Sequence, residues 1–410
     1  MRLLYTIGIF FYRCGIAVAS LFNSKAKLWM RGRKGLFEQL GNTFDGTQRP
    51  VWVHCASLGE YEQAKPVIEQ IKCVSPHTQV LLTFFSPSGY EVSKSDPLPD
   101  YIFYLPIDLP RKVKQFMNAV RPQIAIFVKY EFWFNYMFEL NRQGIPFYYI
   151  SAIFRPSQYF FKKTGRWFGL QLQKASFFFV QNAESKALLE SIGITQVEIC
   201  GDTRFDRVYD IAKQSDTIPF MESFQQGAPI IVAGSTWAPD EQVLAQVLEA
   251  LPQYKMVVAP HEISRSADLL KAFASFPCTC LSKGDEQELS NSRVLIIDTI
   301  GLLKKLYRYG RICYVGGGFK TGLHNTLEAA VYGTPVFFGP EYQKFNEAVA
   351  LVNRHGAFSI SNADELLQKI HYFDEKPDAY QETCRICQAF VQENIGSCVS
   401  ILQTIQKNIL

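Results

Sequence analysis

The sequence predicts an α/β protein with two doubly wound parallel-sheet domains that face a central cleft. Short apolar runs of strand length alternate with helical stretches along the chain, as expected for βαβ units in a parallel sheet. The pattern restarts after a polar, aperiodic break at Tyr209–Pro229. The length of 410 residues also suits two domains of ordinary size.

The first domain is expected to alternate strands and helices from about residue 50. Its predicted strands are PVWVHCAS, QVLLTFFS, YIFYLPID, QIAIFVKYE, IPFYYISAIF, FFFV and VEICGD. Between the first two, the stretch GEYEQAKPVIEQIKCV places Ala64, Val67, Ile68 and Ile71 on one face, which predicts a helix. Gly193 is expected to end the helix that follows FFFV.

The second domain repeats this architecture. Its predicted strands are APIIVAGST, YKMVVAPHE, RVLIIDT, RICYVGGG, PVFFG and AFSIS, with helices such as DEQVLAQVLEAL between them. The last stretch of the chain is helical and is expected to pack back on the first domain. The predicted boundaries are 1–34 for an N-terminal membrane-associating helix and basic segment, 35–208 and 209–385 for the two domains, and 386–410 for the returning helix.

The N-terminal segment has the composition of a membrane-associating helix. Leu3–Phe22 is almost wholly apolar, with Arg13 near its middle, and five basic residues follow between positions 25 and 34. A spanning helix with a central Arg would cost roughly 2.5 to 3.5 kcal/mol, whereas a helix lying in the interface avoids that cost. We therefore expect an interfacial helix with the protein body on the cytoplasmic side. A spanning helix and a helix buried in the first domain are the alternatives.

Composition argues against several classes of protein. A net charge of +4 is too mild for a typical nucleic-acid binder. The ten cysteines are mostly single and lie in apolar surroundings, as expected for reduced thiols in the cytoplasm. The one CxxC, Cys384–Cys387, has neither a second pair nor a nearby His, so no zinc site is expected. No other metal site or cofactor is indicated.

The stretch GGGFKTGLHNTLEAAVYGTP follows a predicted strand and is a candidate phosphate site. In open parallel sheets, ligands bind beyond the carboxyl ends of the strands. The glycines Gly316–Gly318 would let the backbone approach a ligand, and a helix beginning near Asn325 would offer free N–H groups to a phosphate. Glu328 is spaced to accept hydrogen bonds from sugar hydroxyls. The alternative is a capping box in which Asn325 is the N-cap and Glu328 its partner.

Other polar residues also follow predicted strands. Ser235 and Thr236 end the first strand of the second domain, where their hydroxyls could bind an anion or cap a helix. Glu60 starts the first helix of the first domain. There it is either a general base or a carboxylate placed to interact with the helix dipole. Glu131 and His261 follow further strands, although a single His is more often a packing or hydrogen-bonding group.

Seven motifs, taken together, resemble those of the 3-deoxy-D-manno-octulosonic acid (Kdo) transferases of lipopolysaccharide biosynthesis. In chain order they are ASLGE, EFW, GDTRFD, AGST, DTIGLL, YVGGG and HNTLEAAVYGTPVFFGP, and the likeness runs from about Trp52 to Glu347. The resemblance implies a GT-B fold, which consists of two facing Rossmann-like domains. It also implies metal-independent, inverting transfer of Kdo from CMP-Kdo to a lipid A precursor at the cytoplasmic face of the inner membrane.

The resemblance assigns roles to particular residues. Glu60 matches the catalytic Glu, the base on the acceptor hydroxyl, and Glu131 matches the second Glu of an E-x-E-L-W-P motif. Among the donor-side residues, Asn325 is expected near the phosphate and Glu328 on the ribose. The full set expected to bind CMP-Kdo is Ser235, Thr236, His261, Gly317, Gly318, Asn325 and Glu328.

The chain departs from the family motifs at several positions. Lys129 stands where the first Glu of E-x-E is expected, and Pro260 where the family's P-R-H motif has Arg. Arg265 is a candidate replacement for that Arg, while Lys129 and Lys344 could restore positive charge near the donor. Two alternatives follow: another GT-B sugar-nucleotide enzyme, such as a UDP-sugar transferase or an epimerase, and a non-catalytic protein that binds sugar nucleotides or lipids.

Overall fold

The computed structural model describes residues 1–214, 217–320 and 322–408, which form two compact units. Unit 1 comprises residues 1–207 and the chain from Gly396 onward, and unit 2 comprises Val208–Ile395. Each unit contains a seven-stranded sheet whose paired strands are all parallel. The α/β class with two doubly wound sheets, expected from the sequence, is thereby confirmed.

The sheet of unit 1 has the strand order β3-β2-β1-β4-β5-β6-β7. The strands are β1 (Val51–Cys55), β2 (Val80–Phe84), β3 (Tyr101–Tyr104), β4 (Ile124–Val128), β5 (Phe147–Ala152), β6 (Phe177–Val180) and β7 (Val197–Ile199). Side chains alternate between the two faces, so Trp52 and Phe127 pack in one core while Val53 and Ile126 pack in the other. Because both faces are covered, β1 and β4 are buried throughout, and they read as continuous apolar runs.

Helices precede, connect and follow these strands. They are α1 (Arg2–Ala19), α2 (Ser24–Arg31), α3 (Leu36–Thr43), α4 (Leu58–Val74), α5 (Pro87–Ser93), α6 (Pro110–Val120), α7 (Phe134–Arg142), α8 (Arg166–Leu172), α9 (Ala183–Ser191) and α10 (Arg204–Lys213). The expected apolar face of α4 is present, since Ala64, Val67, Ile68 and Ile71 are all buried.

Helix α1 differs from the others because none of its 18 residues is buried. Leu3 is 72% exposed and Phe11 is 67% exposed. Among the described residues it is the one helix long and apolar enough to cross a membrane. Polar contacts nevertheless attach its first turns to unit 1: the Tyr5 hydroxyl donates to Asp108 over 2.6 Å. The alternative of a buried N-terminal helix is therefore wrong.

The sheet of unit 2 has the order β10-β11-β9-β8-β12-β13-β14. Its strands are β8 (Ile230–Thr236), β9 (Lys255–Pro260), β10 (Cys278–Cys280), β11 (Val294–Ile296), β12 (Ile312–Val315), β13 (Val336–Phe338) and β14 (Ala357–Ser359). Its helices are α11 (Pro219–Gln225), α12 (Ala238–Ala250), α13 (Ser266–Ala272), α14 (Glu286–Asn291), α15 (Leu303–Leu306), α16 (Leu327–Ala330), α17 (Asn346–Asn353), α18 (Ala363–Glu375) and α19 (Pro377–Gln392). A last helix, α20 (Ser397–Ile405), belongs to unit 1.

Strand order locates one ligand-binding edge in each unit. The chain winds outward from β1 through β2 and β3, then returns to β4 on the other side of β1. In unit 2 the corresponding reversal lies between β8 and β12. Ligands of doubly wound sheets bind at such switch points, beyond the carboxyl ends of the two strands. Glu60 and Glu131 follow β1 and β4, whereas Ser235 and the three glycines lie at the ends of β8 and β12.

Two local expectations are corrected by the structure. The helix expected from about Asn325 across HNTLEAAVYG is only one turn, α16, because Gly333 adopts a left-handed φ of 69° and redirects the chain into β13. The expected boundary at 385/386 falls inside α19, which packs on α18 and α16 of unit 2. The chain returns to unit 1 at Gly396, whose N–H donates to Asp206 over 2.6 Å.

Candidate active site

Glu60 lies one turn into α4, beside the end of β1. Its Oε2 accepts a 3.0 Å hydrogen bond from the backbone N–H of Ser57 and a second one from the Ser57 hydroxyl. This is a capping box, and it fixes the carboxylate at the helix N-terminus, where the dipole favours negative charge. Both bonds use the same oxygen, so Oε1 of this partly exposed side chain can still accept a proton.

Glu131, beyond the end of β4, is held by two ring systems. Its Oε2 accepts from the Trp133 indole N–H over 2.8 Å and lies 3.3 Å from Nε2 of the buried His54. On its other side, the His54 ring has Nδ1 3.0 Å from the Thr83 carbonyl oxygen and 2.9 Å from the Thr83 hydroxyl. The Glu131 side chain is 14% exposed, whereas the His54 ring beside it is fully buried. The carboxylate therefore lies near the surface of the switch point, next to a rigid part of the core.

Glu60 and Glu131 follow the paired strands β1 and β4, so the two carboxylates lie at the same edge of the sheet. Burial raises the pKa of the Cys55 thiol well above its ordinary value, and the charges of Glu60 and Glu131 raise it further. Burial likewise raises the pKa of Tyr130, which also feels the charge of Glu60. Lys129, beside Tyr130, adopts a left-handed φ of 57°, a strained conformation that is most common at functional sites.

Sequence reasoning missed the residues that position these carboxylates. His54 lies inside the apolar run VWVHC, where nothing distinguishes it from a packed core residue. Trp133 belongs to the quoted EFW motif, but its N–H donation to Glu131 was not anticipated. The spacing of Ser57 and Glu60, S-x-x-E before an apolar run, was a usable capping-box signal.

In unit 2, Ser235 and Thr236 have different environments. The register between β8 and β9 shifts between Gly234 and Thr236, and Ser235 there adopts a left-handed φ of 54°. Its side chain is partly exposed, so the hydroxyl is available at the switch point. Thr236 is buried, and its hydroxyl donates to Glu241 over 3.1 Å. Ser235 is therefore partly exposed at the end of β8, whereas Thr236 has an internal partner.

The glycines after β12 are needed because backbone segments approach one another closely. A Cβ on Gly316 would lie 2.4 Å from the Ser235 carbonyl oxygen, and one on Gly318 would lie 2.6 Å from the Gly339 nitrogen. The N–H of Gly317 donates to the buried Asp240 over 3.1 Å. The sequence suggested that these glycines let the backbone approach a ligand. The structure shows that they allow close approach between segments of the protein's own backbone.

Asn325 lies just before α16 and contacts Glu328 in its first turn. The Asn325 amide donates to Glu328 over 3.3 Å, and its oxygen accepts from the Leu327 N–H over 3.2 Å. The ammonium nitrogen of Lys304 lies 3.5 Å from Glu328 Oε1, the same oxygen that accepts from the Asn325 amide. Thr326, rather than Asn325, occupies the N-cap position, without a side-chain cap bond. The result is a partly exposed amide, carboxylate and ammonium group in one row.

His261 forms a stack with two other rings. Its ring centroid is 4.8 Å from that of Trp237 and 4.4 Å from that of His324, with tilts of 29° and 23°. Trp237 Nε1 donates to His324 Nε2 over 3.4 Å, which requires that nitrogen to be unprotonated. Burial, with the neighbouring His261, lowers the pKa of His324 to about 4. His261 itself is exposed, so the stack presents an aromatic surface at the strand ends.

Arg265, the candidate replacement for the family Arg absent at Pro260, has an internal partner. Its guanidinium forms two hydrogen bonds with the buried Glu241, of 2.9 and 2.7 Å. This bidentate geometry satisfies the buried carboxylate. Within the described ranges, no group of three His, Cys, Asp or Glu side chains is placed to hold a metal ion.

Comparisons of sequence point to one class of protein. A family model described as 3-deoxy-D-manno-octulosonic-acid transferase (kdotransferase) matches residues 31–207. A protein named 3-deoxy-D-manno-octulosonic acid transferase from Haemophilus influenzae is 26% identical and aligns with 96% of this chain and 94% of its own. Its namesake from Aquifex aeolicus is 28% identical, over 78% of this chain and 84% of its own. A bifunctional glycosyltransferase/methyltransferase of Fusobacterium nucleatum is 25% identical over 84% of this chain, which spans 55% of that longer protein.

Comparisons of structure concern the fold. UDP-GlcNAc 2-epimerase from Neisseria meningitidis superposes with a TM-score of 0.60 at 15% identity, covering 87% of this chain and all of that one. MurG from Acinetobacter baumannii gives a TM-score of 0.54 at 13% identity, covering 87% of this chain. Both matches extend over residues of the two units, so the likeness concerns the fold of each.

Proposed function

We propose that this chain is a glycosyltransferase of the Kdo transferase type, with the two-domain fold that it shares with its structural neighbours. It transfers Kdo from CMP-Kdo to a hydroxyl of a lipid A precursor, with inversion at the anomeric carbon. The observation that carries the proposal is the pair of carboxylates, Glu60 and Glu131, held at the switch point of a unit that the Kdo transferase family model matches.

Glu60 is the general base of the proposed reaction. Oε2 is held by Ser57 at the start of α4, and Oε1 remains able to accept the proton of the acceptor hydroxyl. Proton removal at the moment of attack makes that oxygen a better nucleophile, an effect of about a hundred- to ten-thousand-fold. The nucleotide phosphate is already a good leaving group, so the acceptor side is where proton transfer has most to contribute.

Glu131 supplies the second negative charge of the site. The hydrogen bond from the Trp133 indole N–H and the contact with His54 keep this carboxylate oriented. A fixed negative charge stabilises the positive charge that develops on the sugar ring as the bond to phosphate breaks. Lys129, beside it, supplies an ammonium group at the position where related motifs have a Glu.

Unit 2 binds the donor in this proposal. Ser235 and Asn325 provide polar groups for the phosphate, and Glu328 accepts hydrogen bonds from the ribose hydroxyls. The exposed ring of His261 offers an aromatic surface next to them. Gly317 and Gly318 shape the loop, and Thr236 braces it through Glu241. Lys304, 3.5 Å from Glu328, adds an ammonium group to the same row.

In this proposal the enzyme works at the cytoplasmic face of the inner membrane, with α1 as its membrane-binding helix. Its exposed apolar side chains suit the acyl region, while Tyr5 and Arg2 attach it to unit 1 through Asp108 and Asn135. A helix that keeps these contacts lies along the protein body, which favours the interfacial arrangement over a spanning one. Deletion of residues 1–23 is expected to release the protein from membranes.

The decisive test compares Glu60→Gln with Glu62→Gln in the purified full-length protein. Gln can still accept and donate in a capping box, so Glu60→Gln preserves the start of α4 but cannot take up a proton. We expect it to lose transfer by about a hundredfold or more, with unchanged thermal unfolding. Glu62→Gln, on the same helix, controls for the lost charge. The readout is mass spectrometry of the product from CMP-Kdo and a tetraacylated acceptor.

The same assay separates the proposal from its rivals. Wild-type protein that consumes a UDP-sugar but not CMP-Kdo would be another GT-B enzyme. Protein that binds CMP-Kdo without forming product would be a binding protein. Near-normal transfer by Glu60→Gln would remove that residue from the role of base while leaving the activity in place.

A further inference from the structure

Unit 1 contains a cavity of about 300 Å³ that the reaction does not use. It lies among α1, α2, α3 and the loop that leads into α6, and we call it the basic pocket. Four cationic side chains line it, those of Arg13, Arg33, Lys34 and Lys112. The rest of the lining is apolar and includes the rings of Trp29 and Phe37. Positive charge and apolar surface therefore meet in one concave site.

No acidic side chain balances this charge. The lining contains neither Asp nor Glu. In the part of the chain that the structure describes, none of the four cations has a carboxylate within ion-pair distance. Cations that converge without acidic partners repel one another, and proteins retain such arrangements mainly where an anion binds.

Arg33 is the most constrained of the four. Its guanidinium donates to the carbonyl oxygens of Leu105, Phe85 and Trp29 over 2.8, 2.9 and 3.1 Å, and it lies 3.7 Å from the centre of a Trp29 ring. Burial lowers its pKa to about 9. Carbonyl dipoles orient the group but do not neutralise it, and a buried charge normally needs an ionic partner. Three of its five N–H groups are used, so two remain for a ligand oxygen.

The surroundings indicate which anion would bind. Arg13 belongs to α1, whose residues Leu3, Leu4 and Phe11 are largely exposed. A free phosphate has no use for the apolar walls, whereas a phospholipid has both a phosphate and acyl chains. Arg33 offers the planar donor geometry that matches phosphate oxygens, and the lysines add point charges.

We propose that the basic pocket binds the phosphate of an anionic phospholipid in the membrane on which α1 lies. Arg33 is the central partner, and Arg13, Lys34 and Lys112 surround the headgroup, while Trp29 and Phe37 contact the start of the acyl chains. The proposal rests on α1 and the pocket rather than on sugar transfer. A protein that failed to transfer Kdo would therefore still test it.

The test measures binding of the full-length protein to phosphatidylcholine vesicles with increasing phosphatidylglycerol. Lys34→Gln/Lys112→Gln removes two pocket charges from exposed positions. Lys27→Gln/Lys114→Gln removes two charges from exposed positions on α2 and α6 that do not line the pocket. Arg33 is left intact, because its three carbonyl partners also hold the fold. We expect the pocket pair to weaken binding by about tenfold or more, and the control pair to weaken it several-fold less.

A second measurement locates the lipid. Trp29 lines the pocket, so phosphatidylglycerol brominated near the headgroup should quench its fluorescence, isolated by subtracting a Trp29→Phe variant. Brominated phosphatidylcholine should quench it much less. Equal losses for the two variant pairs, or equal quenching by the two lipids, would reduce the pocket to part of a diffuse basic surface. Displacement of the lipid by millimolar inorganic phosphate would show that the pocket is a simple anion site. Any one of these three results would overturn the proposal.

Discussion

The two switch points both lie in seven-stranded parallel sheets, but they use carboxylates in opposite ways. In unit 1, Glu60 and Glu131 are partly exposed, and neutral donors hold them in place. In unit 2, Asp240 and Glu241 are buried and serve the scaffold: Asp240 accepts from Tyr314 and Gly317, and Glu241 binds Arg265. Among the partly exposed groups there, the charges of Glu328 and Lys304 lie 3.5 Å apart and offset each other. One unit thus presents negative charge, and the other neutralises its own.

This difference shows that a carboxylate is available for a ligand only where the fold does not already bury it and fill its hydrogen-bonding positions. Both units place acidic residues within the first turn of the helix that follows their first strand. A carboxylate that is buried and fully hydrogen-bonded is a structural group, whereas one that keeps an oxygen near solvent can act on a substrate. An acceptor hydroxyl needs the second kind, and an anionic donor is better served by the first.

The largest expected effect comes from filling the glycine loop of unit 2. In Gly318→Ala, the new Cβ would lie 2.6 Å from the Gly339 nitrogen and 2.8 Å from its Cα, both backbone atoms that cannot turn away. We expect a loss of about 3 kcal/mol in the stability of unit 2, at the upper end of overpacking costs. Hydrogen exchange of the β12 and β8 amides measures it.

Unit 1 offers the contrasting control. Gly41 lies in α3 with no atom within 4 Å of an added Cβ. Gly41→Ala should therefore stabilise the helix by about 0.5 to 1 kcal/mol. If Gly318→Ala instead left the β12 amides as protected as in the wild type, the close approach of loops in unit 2 would not be a structural requirement.

Much of the fold could be predicted from the sequence, because buried parallel strands are continuous apolar runs. The run VWVHCAS predicts β1, and the restart at APIIVAGST predicts β8 in a second sheet. The end of each strand also locates polar residues at the switch points, which is why Glu60, Glu131 and Ser235 were found. Periodicity and strand ends are local properties that a sequence displays directly.

What could not be predicted depends on pairing between distant residues. Arg265 was a candidate for the donor phosphate, but Glu241, 24 positions away, binds it. The support that His54 gives to Glu131 spans 77 positions. The length of α16 depends on the turn at Gly333, since the residues before it are compatible with a longer helix. Tertiary partners decide such outcomes, and local patterns do not contain them.

The next prediction concerns the ring stack of Trp237, His261 and His324 in unit 2. The pKa of His324 falls from 6.5 to about 4 on folding, so the unfolded chain takes up a proton between these values and the folded chain does not. Stability is therefore lost as the pH falls from 6.5 towards 4. Between pH 7 and pH 5, this histidine should account for a loss of about 2 kcal/mol in unit 2.

The His324→Gln variant should remove that pH dependence, measured as the change in thermal unfolding or in β12 exchange between the two pH values. The matched control is His371→Gln, an exposed histidine on α18, which should keep the wild-type slope. If the pH dependence of stability were unchanged in His324→Gln, the folded protein would not keep the His324 imidazole unprotonated. Unit 2 would then present a charged group at its switch point, as unit 1 does.

The smallest effect tests whether the cap of α4 has a role beyond holding the helix. Ser57→Ala removes the hydroxyl that donates to Glu60, and it should cost about 1 kcal/mol of stability. Asn182→Ala removes the N-cap of α9, where the side chain accepts from the Ser185 N–H over 2.9 Å, at a similar cost. Only Ser57→Ala should also lower the transfer rate, because only there does the lost bond orient a reacting carboxylate. Equal transfer rates in the two variants would show that Glu60 keeps its position without the Ser57 hydroxyl. The backbone N–H of residue 57 would then be enough to orient this carboxylate, just as backbone contacts fix the glycine loop of unit 2.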